Sequence, residues 1–364
     1  MQSNHKKRIC IVSRSLSEGG ADRVAAMQSV FLTDLGYEVF VVSILNSIKY
    51  PYRGKLLNLG AIKEQDDTRL GRFKRLLILK KFLNHNAIDL VIDHRVRCKA
   101  FSEYIISGLI YPKATIYMVH NYTINRYFPP FKWLTKLSYG RSKKIVAVSD
   151  HIKNKVEAYY NFKQVQTIYN PVDFEYLNQL KTQAITASDS FIFWYGRFEE
   201  KQKNVSLLVE AYSKSQLSKK GIKLLLMGQG KDKQKIETLI HTLGLQDHIE
   251  VLPFSKNPFA YIYQSKFTVL TSHYEGFPMT VLESLACEIP VVSVKYKNYE
   301  DGVIKHEFNG LLVENYNAKA LGNAFNRFID DEKLYLRCKA NTKKSVGSFS
   351  VESISKQWQN LIDN

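Results

Sequence analysis

Glu275 and Glu283 stand eight residues apart in "SHYEGFPMTVLESL" (272–285), on either side of a Gly-Phe-Pro turn. The run "FTVLTS" (267–272) ahead of them reads as a strand, and Pro278 opens a helix expected to reach about Glu288. Glu275 then lies in the strand–helix loop, and Glu283 sits one to two turns into the helix. A helix start leaves its first amides unpaired and attracts anions, so Gly276, Phe277, Met279 and Thr280 can offer N–H groups to a phosphate. The Thr280 hydroxyl can add one more bond. A carboxylate can take hydroxyl protons on both oxygens, which suits a diol. An isolated pair of this spacing is ordinary turn chemistry beside a helix that buries Leu282, Leu285 and Ala286. The flanking strand runs, "FTVLTS" and "PVVSV" (290–294), favour a site.

Three further stretches place chemistry just after a strand. In "WYGRFEEKQKN" (194–204) the strand "FIFWYG" ends in Gly196-Arg197, and Lys203-Asn204 precedes a helix. An Arg and a Lys there can neutralise a diphosphate, Arg by binding two oxygens at once. Lys201 is a rival for Lys203. In "SRSLSEGGADRVA" (13–25) Gly19-Gly20 precede a helix with Val24, Met27 and Phe31 on one face. Glycine allows close backbone approach to a ligand, but this is not the G-x-G-x-x-G dinucleotide fingerprint. Arg23 in this loop reads as structural. His120 ends "TIYMVH" and His94 ends "DLVIDH"; each is a candidate, and a histidine at a strand end is often only a turn or core residue.

The elements that must position these residues alternate along all 364 residues. Short β-branched runs at 8–13, 38–45, 89–94, 115–120 and 144–149 are separated by helical segments near 20–35, 69–85, 99–110 and 150–160. A second series runs at 191–196, 223–228, 249–254, 267–272, 290–294 and 310–313. The polar stretch 178–190 reads as a linker. The pattern predicts two α/β domains with parallel sheets, in which ligands bind beyond strand C-termini. Boundaries are expected at 1–175 and 190–345, with a C-terminal helix in 346–364 packing back toward the first domain. Residues 1–170 hold 28 Lys/Arg against 12 Asp/Glu, whereas the remainder is nearly neutral. The basic half suits an anionic surface or substrate. Its densest run, "RLGRFKRLLILKK" (69–81), spreads charge around the helix. Leu70, Phe73, Leu76 and Leu77 share one side, while Ile78, Leu79 and Phe82 lie on another. The stretch 121–137 interleaves aromatics with Arg126, Lys132 and Lys136. Four scattered cysteines show no metal spacing and imply a reducing compartment. No apolar run reaches spanning length, and the first apolar run is read as a strand and not a signal peptide.

With these residues in place, the chain resembles the GT-B glycosyltransferases of family 4, the group that builds bacterial surface glycans. The resemblance is clearest over 191–314 and at 15–23, where "GGADR" is similar to the family's Gly-Gly loop. It implies a GT-B fold: two doubly wound Rossmann-like domains facing across a cleft, the first for the acceptor and the second for a nucleotide sugar. It implies that Glu275 meets hydroxyls of the transferred sugar and Glu283 the nucleotide ribose. Arg197 and Lys203 then stabilise the leaving diphosphate, with Gly19, Gly20, Gly196, Gly276, Phe277, Met279 and Thr280 lining the donor. Of the two histidines it selects His120, as a contact to the sugar. "AVSDHIKN" (147–154) and "IYNPVD" (168–173) match structural segments, with Ser149 as a helix cap. One departure is "KYKNYEDGVI" (295–304), where Glu300 is matched but the family's glycine is missing.

The expected activity is hexosyltransferase-type: a sugar moves from a nucleoside diphosphate to a hydroxyl acceptor, a lipid-linked glycan of surface polysaccharide synthesis, with retained configuration. The nucleotide sugar is substrate and no cofactor is expected. The absence of Asp-x-Asp implies no metal. The expected place is the cytoplasm, peripheral on the inner face of the plasma membrane, with anionic lipid as a partner. Two rivals are a GT-B nucleotide-sugar epimerase and a basic nucleic-acid-binding protein. The second finds no recognised nucleic-acid module in the sequence.

Overall fold

A computed structural model of the protein describes residues 6–17, 19–181, 190–255, 257–297, 299 and 302–364. Most of the expected linker and Glu300 lie outside the described residues. The chain divides into two compact units. One runs to Pro171 and takes up Glu352–Asn364; the other is Val172–Val351.

Among the described residues, the first unit holds a seven-stranded sheet. Its strands are β1 (Arg8–Ser13), β2 (Glu38–Ser43), β3 (Lys55–Asn58), β4 (Leu90–Asp93), β5 (Thr115–Val119), β6 (Lys144–Ala147) and β7 (Val165–Thr167), in the order β3-β2-β1-β4-β5-β6-β7. All pairs are parallel; Cys10 of β1 faces Phe40 on one side and Val91 on the other. The second unit holds β8 (Phe191–Arg197), β9 (Lys223–Gln229), β10 (Ile249–Leu252), β11 (Thr268–Leu270), β12 (Val291–Lys295) and β13 (Gly310–Glu314). Its order is β10-β9-β8-β11-β12-β13, again all parallel. Each sheet reverses direction of growth beside its first strand, between β1 and β4 and between β8 and β11. That reversal is the dinucleotide-fold arrangement and opens a crevice at the strand C-termini.

Burial explains the continuous apolar runs. Ile9 to Val12 and Ile116 to Val119 are fully or almost fully buried, since helices cover both faces of a parallel sheet. In the second unit Trp194, Phe198, Leu208, Leu226, Phe267 and Phe325 belong to one core. The helix Val351–Asp363 is held in the first unit by side chains that reach its end. Lys7 Nζ and Lys143 Nζ donate to the Ile362 carbonyl at 2.6 and 3.0 Å, and the Tyr37 hydroxyl donates to Asp363 at 2.7 Å. Cations at a helix C-terminus satisfy its last carbonyls. Ser149 and Asp173 cap the helices Asp150–Tyr160 and Phe174–Gln179, accepting from Ile152 and Tyr176 amides.

β3 and β7 are absent from the expected set. Both are short edge strands, of four and three residues, and neither carries a β-branched run. The segment 99–110 is one helix that changes winding, from α over Ala100–Ile105 to π over Ile106–Ile110.

The end of β8 depends on a glycine in β9. Gly228 pairs with Gly196, and a Cβ on Gly228 would lie 1.8 Å from the Gly196 carbonyl oxygen. Gly228→Ala must push two backbones apart just where Arg197 leaves the sheet. We expect a loss of roughly 1–3 kcal/mol or more. Gly108→Ala, where a Cβ meets nothing within 4 Å, should stay near neutral. Thermal melts of the two variants check this; equal melting points would contradict it.

Candidate active site

In the second unit the two glutamates have separate surroundings. Glu275, in the loop after β11, receives Lys203 Nζ at 2.6 Å and the Ser272 hydroxyl at 2.6 Å, both on Oε1. Its Oε2 has one longer contact, 3.5 Å from Gln202 Nε2. The Lys203 and Glu275 side chains are only 14% and 8% exposed, so the pair is largely desolvated. Lys203 is fixed from behind, because its carbonyl accepts the Thr271 hydroxyl at 2.9 Å. The sequence leaves Lys201 and Lys203 as rivals; the fold turns Lys201 to solvent and joins Lys203 to Glu275. Arg197 is half-exposed, with Glu199 at 3.7 Å, and keeps reach for an anion.

Glu283 is buried in the helix Met279–Ala286. The Tyr195 hydroxyl donates to its Oε2 at 2.6 Å and lies 3.3 Å from the Thr280 carbonyl. Between the two carboxylates comes the helix start. Pro278 is the N-cap and supplies no side-chain bond, so the first-turn amides of Met279 and Thr280 have no intrahelical partner. Thr280 Oγ1 is buried without a hydrogen-bond partner. Those groups suit an anion. The Phe277 side chain does not line the site: it is buried edge-on against Phe349, ring centres 5.1 Å apart. Its contribution can only be its backbone. Gly196 matters by size, since a Cβ there would lie 3.3 Å from the Trp194 ring and 3.9 Å from Lys203 Cε. Gly276 lies half-buried in the bend ahead of the helix.

In the first unit, Gly19 has φ +85° and forms the N-cap of Gly20–Asp34 without a side-chain bond. A residue with a Cβ is strained at that φ. Asp22, in the first turn, is buried and accepts from the Ser13 and Ser15 hydroxyls. Arg23 stacks over Tyr50, 5.0 Å from the ring centre.

The rival histidines turn out to be partners. His94 Nδ1 lies 3.0 Å from His120 Nε2, with the rings stacked at 5.0 Å, and His94 Nε2 lies 2.7 Å from Gln28 Oε1. Beneath them Arg97 is fully buried. It donates to the carbonyls of Asp93 (3.0 Å), Arg95 (2.8 Å) and Met118 (2.7 Å), tying the end of β4 to the end of β5. Arg95 in turn binds Asp93 at 2.8 Å and Glu103 at 3.0 Å. Among the described residues no group of three or more His, Cys, Asp and Glu could hold a metal ion.

Residues 18–176 match the model for Glycosyltransferase Family 4, and residues 178–345 that for Glycosyl transferases group 1. This chain is a GT-B glycosyltransferase. It is related to these families and moves a sugar from a nucleoside-diphosphate donor. It is similar to the Campylobacter jejuni N-acetylgalactosamine-N,N'-diacetylbacillosaminyl-diphospho-undecaprenol 4-alpha-N-acetylgalactosaminyltransferase, 27% identical over 96% of this chain and 98% of that one. It is also similar to the amylovoran biosynthesis glycosyltransferase AmsD of Erwinia amylovora, 23% identical over 98% and 99%. In fold it is similar to Anabaena HepE in complex with UDP-glucose, with TM-score 0.77 at 16% identity over 98% and 99% of the two chains.

Three residues of this glycosyltransferase escaped sequence reasoning: Tyr195, Gln28 and Arg97. Tyr195 lies within the strand "FIFWYG", but its partner is 88 positions away. Arg97 offers only its type and place after a strand as a signal.

Burial and the Arg97 charge hold His94 neutral, its pKa pushed down to about 3. His120 is driven well below the ordinary histidine range by burial first, then by His94 and Arg97. In the unfolded chain both would titrate near 6.5. As pH falls below about 6.5 the unfolded state takes up the protons first, so stability falls with falling pH. The slope approaches roughly 1.4 kcal/mol per pH unit for each histidine. For His94 the loss runs down to about pH 3. Melting the wild type and His94→Asn at several pH values from 7 to 4.5 checks this. The wild type should lose more stability over that range; parallel curves would mean that His94 is already charged when folded.

Proposed function

We propose that the enzyme transfers a hexose-type sugar from a nucleoside diphosphate to a hydroxyl of a lipid-linked saccharide in surface polysaccharide synthesis. The observation that carries the donor half is the second-unit constellation. Two carboxylates flank an anion-binding helix start, and Lys203 sits on one of them at 2.6 Å. In this reading Glu283, held by the Tyr195 hydroxyl at 2.6 Å, meets the ribose. The diphosphate takes the amides of Met279 and Thr280, the Thr280 hydroxyl, Arg197 and Lys203. Glu275 meets sugar hydroxyls, and donor entry divides Lys203 between the carboxylate and the phosphates. Preorganised cations and amides of this kind stabilise a leaving charge without reorganising. Through the resemblance, His120 takes a hydroxyl of the transferred sugar, Gly19 and Gly20 border the phosphates, and configuration is retained. With Arg197 and Lys203 carrying the charge, turnover should persist in excess EDTA. Complete, metal-reversible loss would overturn that assignment.

The acceptor half rests on relatives. Two Campylobacter jejuni proteins, 27% and 23% identical to this chain, are named for transfer onto undecaprenol-diphosphate-linked saccharides. Such an acceptor lies in a membrane, and the first unit has a face suited to one. On the helix Arg69–His85, three of the four residues that sequence periodicity groups together, Leu70, Phe73 and Leu77, are 63%, 58% and 50% exposed, while Leu76 is half-buried. Leu109 on the neighbouring π turn, and Trp133 and Leu137 on Lys132–Tyr139, are exposed as well. These elements pack beside one another, and basic residues border the apolar ones. Apolar side chains among lysines and arginines fit an anionic leaflet. We place the enzyme at the cytoplasmic face. No helix among the described residues is long and apolar enough to cross a membrane.

Calorimetry with UDP, the nucleotide carried by the sugar in the HepE complex, tests the donor half. Glu283→Ala should weaken binding roughly 10–100-fold, as expected for a lost hydrogen bond to a charged group. Glu275→Gln should not weaken UDP binding and should act on transfer, because it changes a sugar contact and releases Lys203 to the phosphates. Undiminished UDP affinity in Glu283→Ala would remove Glu283 from the ribose.

Liposome flotation tests the membrane. The screening length falls from about 10 Å at 0.1 M salt to about 3 Å at 1 M, which removes charge attraction but not apolar burial. The wild type should float with anionic vesicles at 0.1 M and keep part of that binding at 1 M. Replacing Leu70, Phe73 and Leu77 by Ser should abolish the salt-resistant part. A wild type that ignores anionic vesicles at low salt would refute the docking.

A further inference from the structure

We infer that Gln28 and His94 are positioning residues that fix the tautomer of His120, leaving its Nδ1 as a bare acceptor for a substrate hydroxyl. The inference deepens the donor reading above and rests on it only for the identity of that hydroxyl.

The chain of contacts has an unpartnered buried nitrogen at each end, the amide Nε2 of Gln28 and Nδ1 of His120. Gln28 presents its carbonyl oxygen to His94 Nε2 at 2.7 Å, and His94 Nδ1 meets His120 Nε2 at 3.0 Å. His120 Nδ1 is buried and has no hydrogen-bond partner. Two neutral imidazoles that share one N···N contact need one donor and one acceptor. A carbonyl can only accept, so His94 must carry its proton on Nε2. His94 Nδ1 is then a lone pair, and His120 must donate from Nε2. The remaining His120 nitrogen, Nδ1, has a lone pair and no proton. Each ring thereby adopts the Nε2–H form, which is the intrinsically preferred tautomer of a neutral imidazole. The reverse direction would put both rings in the less favoured form.

Neutrality comes from the surroundings. Burial is the main cause that keeps both rings from taking a second proton, and the fully buried Arg97 charge adds to it. A charged His120 would donate from both nitrogens and could not accept. Arg97 also sets the distance. Its donations to the Asp93 and Met118 carbonyls hold the last residues of β4 and β5 together, and His94 and His120 each follow one or two positions later. The helix Gly20–Asp34 brings Gln28 to the same point, where it is 1% exposed. A hydroxyl donating to Nδ1 would remove the one unsatisfied buried nitrogen of His120 and orient the oxygen lone pairs away from the ring.

Long-range proton–nitrogen NMR on the histidine-labelled wild-type protein reads the tautomer directly, with His120 assigned by loss of its signals in His120→Asn. The expected result is an unprotonated Nδ1 and a protonated Nε2 for His120 in the free protein at pH 7. In Gln28→Leu, and separately in His94→Phe, the His120 signals should move toward a mixture of tautomers. A protonated Nδ1 in the wild type, or a His120 pattern unchanged in a folded variant, would overturn the relay. Adding UDP-glucose and UDP-N-acetylgalactosamine, each against UDP alone, then reads the sugar contact. A shift of Nδ1 with a UDP sugar and not with UDP supports the acceptor role. If the free-protein tautomer is as stated but neither sugar moves Nδ1, the relay stands and the sugar assignment fails.

Discussion

Everything at the candidate sites of the two units depends on one constraint: in a parallel sheet every strand ends on the same edge. Loops that leave those ends are gathered along that edge, and where strand order reverses the two neighbouring loops diverge and open a crevice. Both sheets reverse beside their first strand, β1 next to β4 and β8 next to β11. Gly19 follows β1 and His94 follows β4. Arg197 ends β8 and Glu275 follows β11. Residues far apart in sequence therefore become neighbours because the sheet has a direction. Gly228, whose hydrogen faces the Gly196 carbonyl, lets β9 lie against β8 up to that edge.

Charges at the strand ends are held by partners of different kinds. Lys203 and Glu275 neutralise one another in a place too dry to leave either alone. Removing one partner of such a pair costs far more than exchanging both. Glu283 is held by a hydroxyl, that of Tyr195, and not by a cation. Arg97 is different again, because its nearest acceptors are backbone carbonyls and it is surrounded by the rings of Tyr117, Tyr127 and Tyr139 at 5.1 to 5.8 Å. A guanidinium tolerates this because its planar donors can meet several carbonyls while its faces rest on aromatic rings. The cost of burying it is set against a rigid join between β4 and β5 and two neutral histidines above it.

The fold was legible because buried parallel strands are short and β-branched. The runs "RICIVS", "TIYMVH" and "FIFWYG" show in sequence what packing requires of them. The edge strands β3 and β7 need burial on fewer sides, and "KLLN" and "VQT" carry no such mark. The site was legible as far as residue type reports chemistry. Glu275, Glu283, Arg197 and Lys203 are of types that bind hydroxyls or a diphosphate, and the flanking strand runs and the family resemblance set them apart from ordinary turn and helix charges. Phe277 was chosen by its neighbours in sequence, and its ring goes to Phe349 instead.

The sequence by itself determined two α/β units, the loops that hold the carboxylates and cations, and the concentration of positive charge in the first half. Those features follow from local periodicity and from which residues can bear a charge. Only the tertiary structure joined Lys203 and not Lys201 to Glu275, turned the competing His94 and His120 into a bonded pair, and sent Leu70, Phe73 and Leu77 outward. Each of those outcomes is a distance or a direction set by packing between elements separated by tens of residues. Helical period groups Leu70, Phe73 and Leu77 on one side, but what that side faces is fixed by the neighbouring elements and not by the helix.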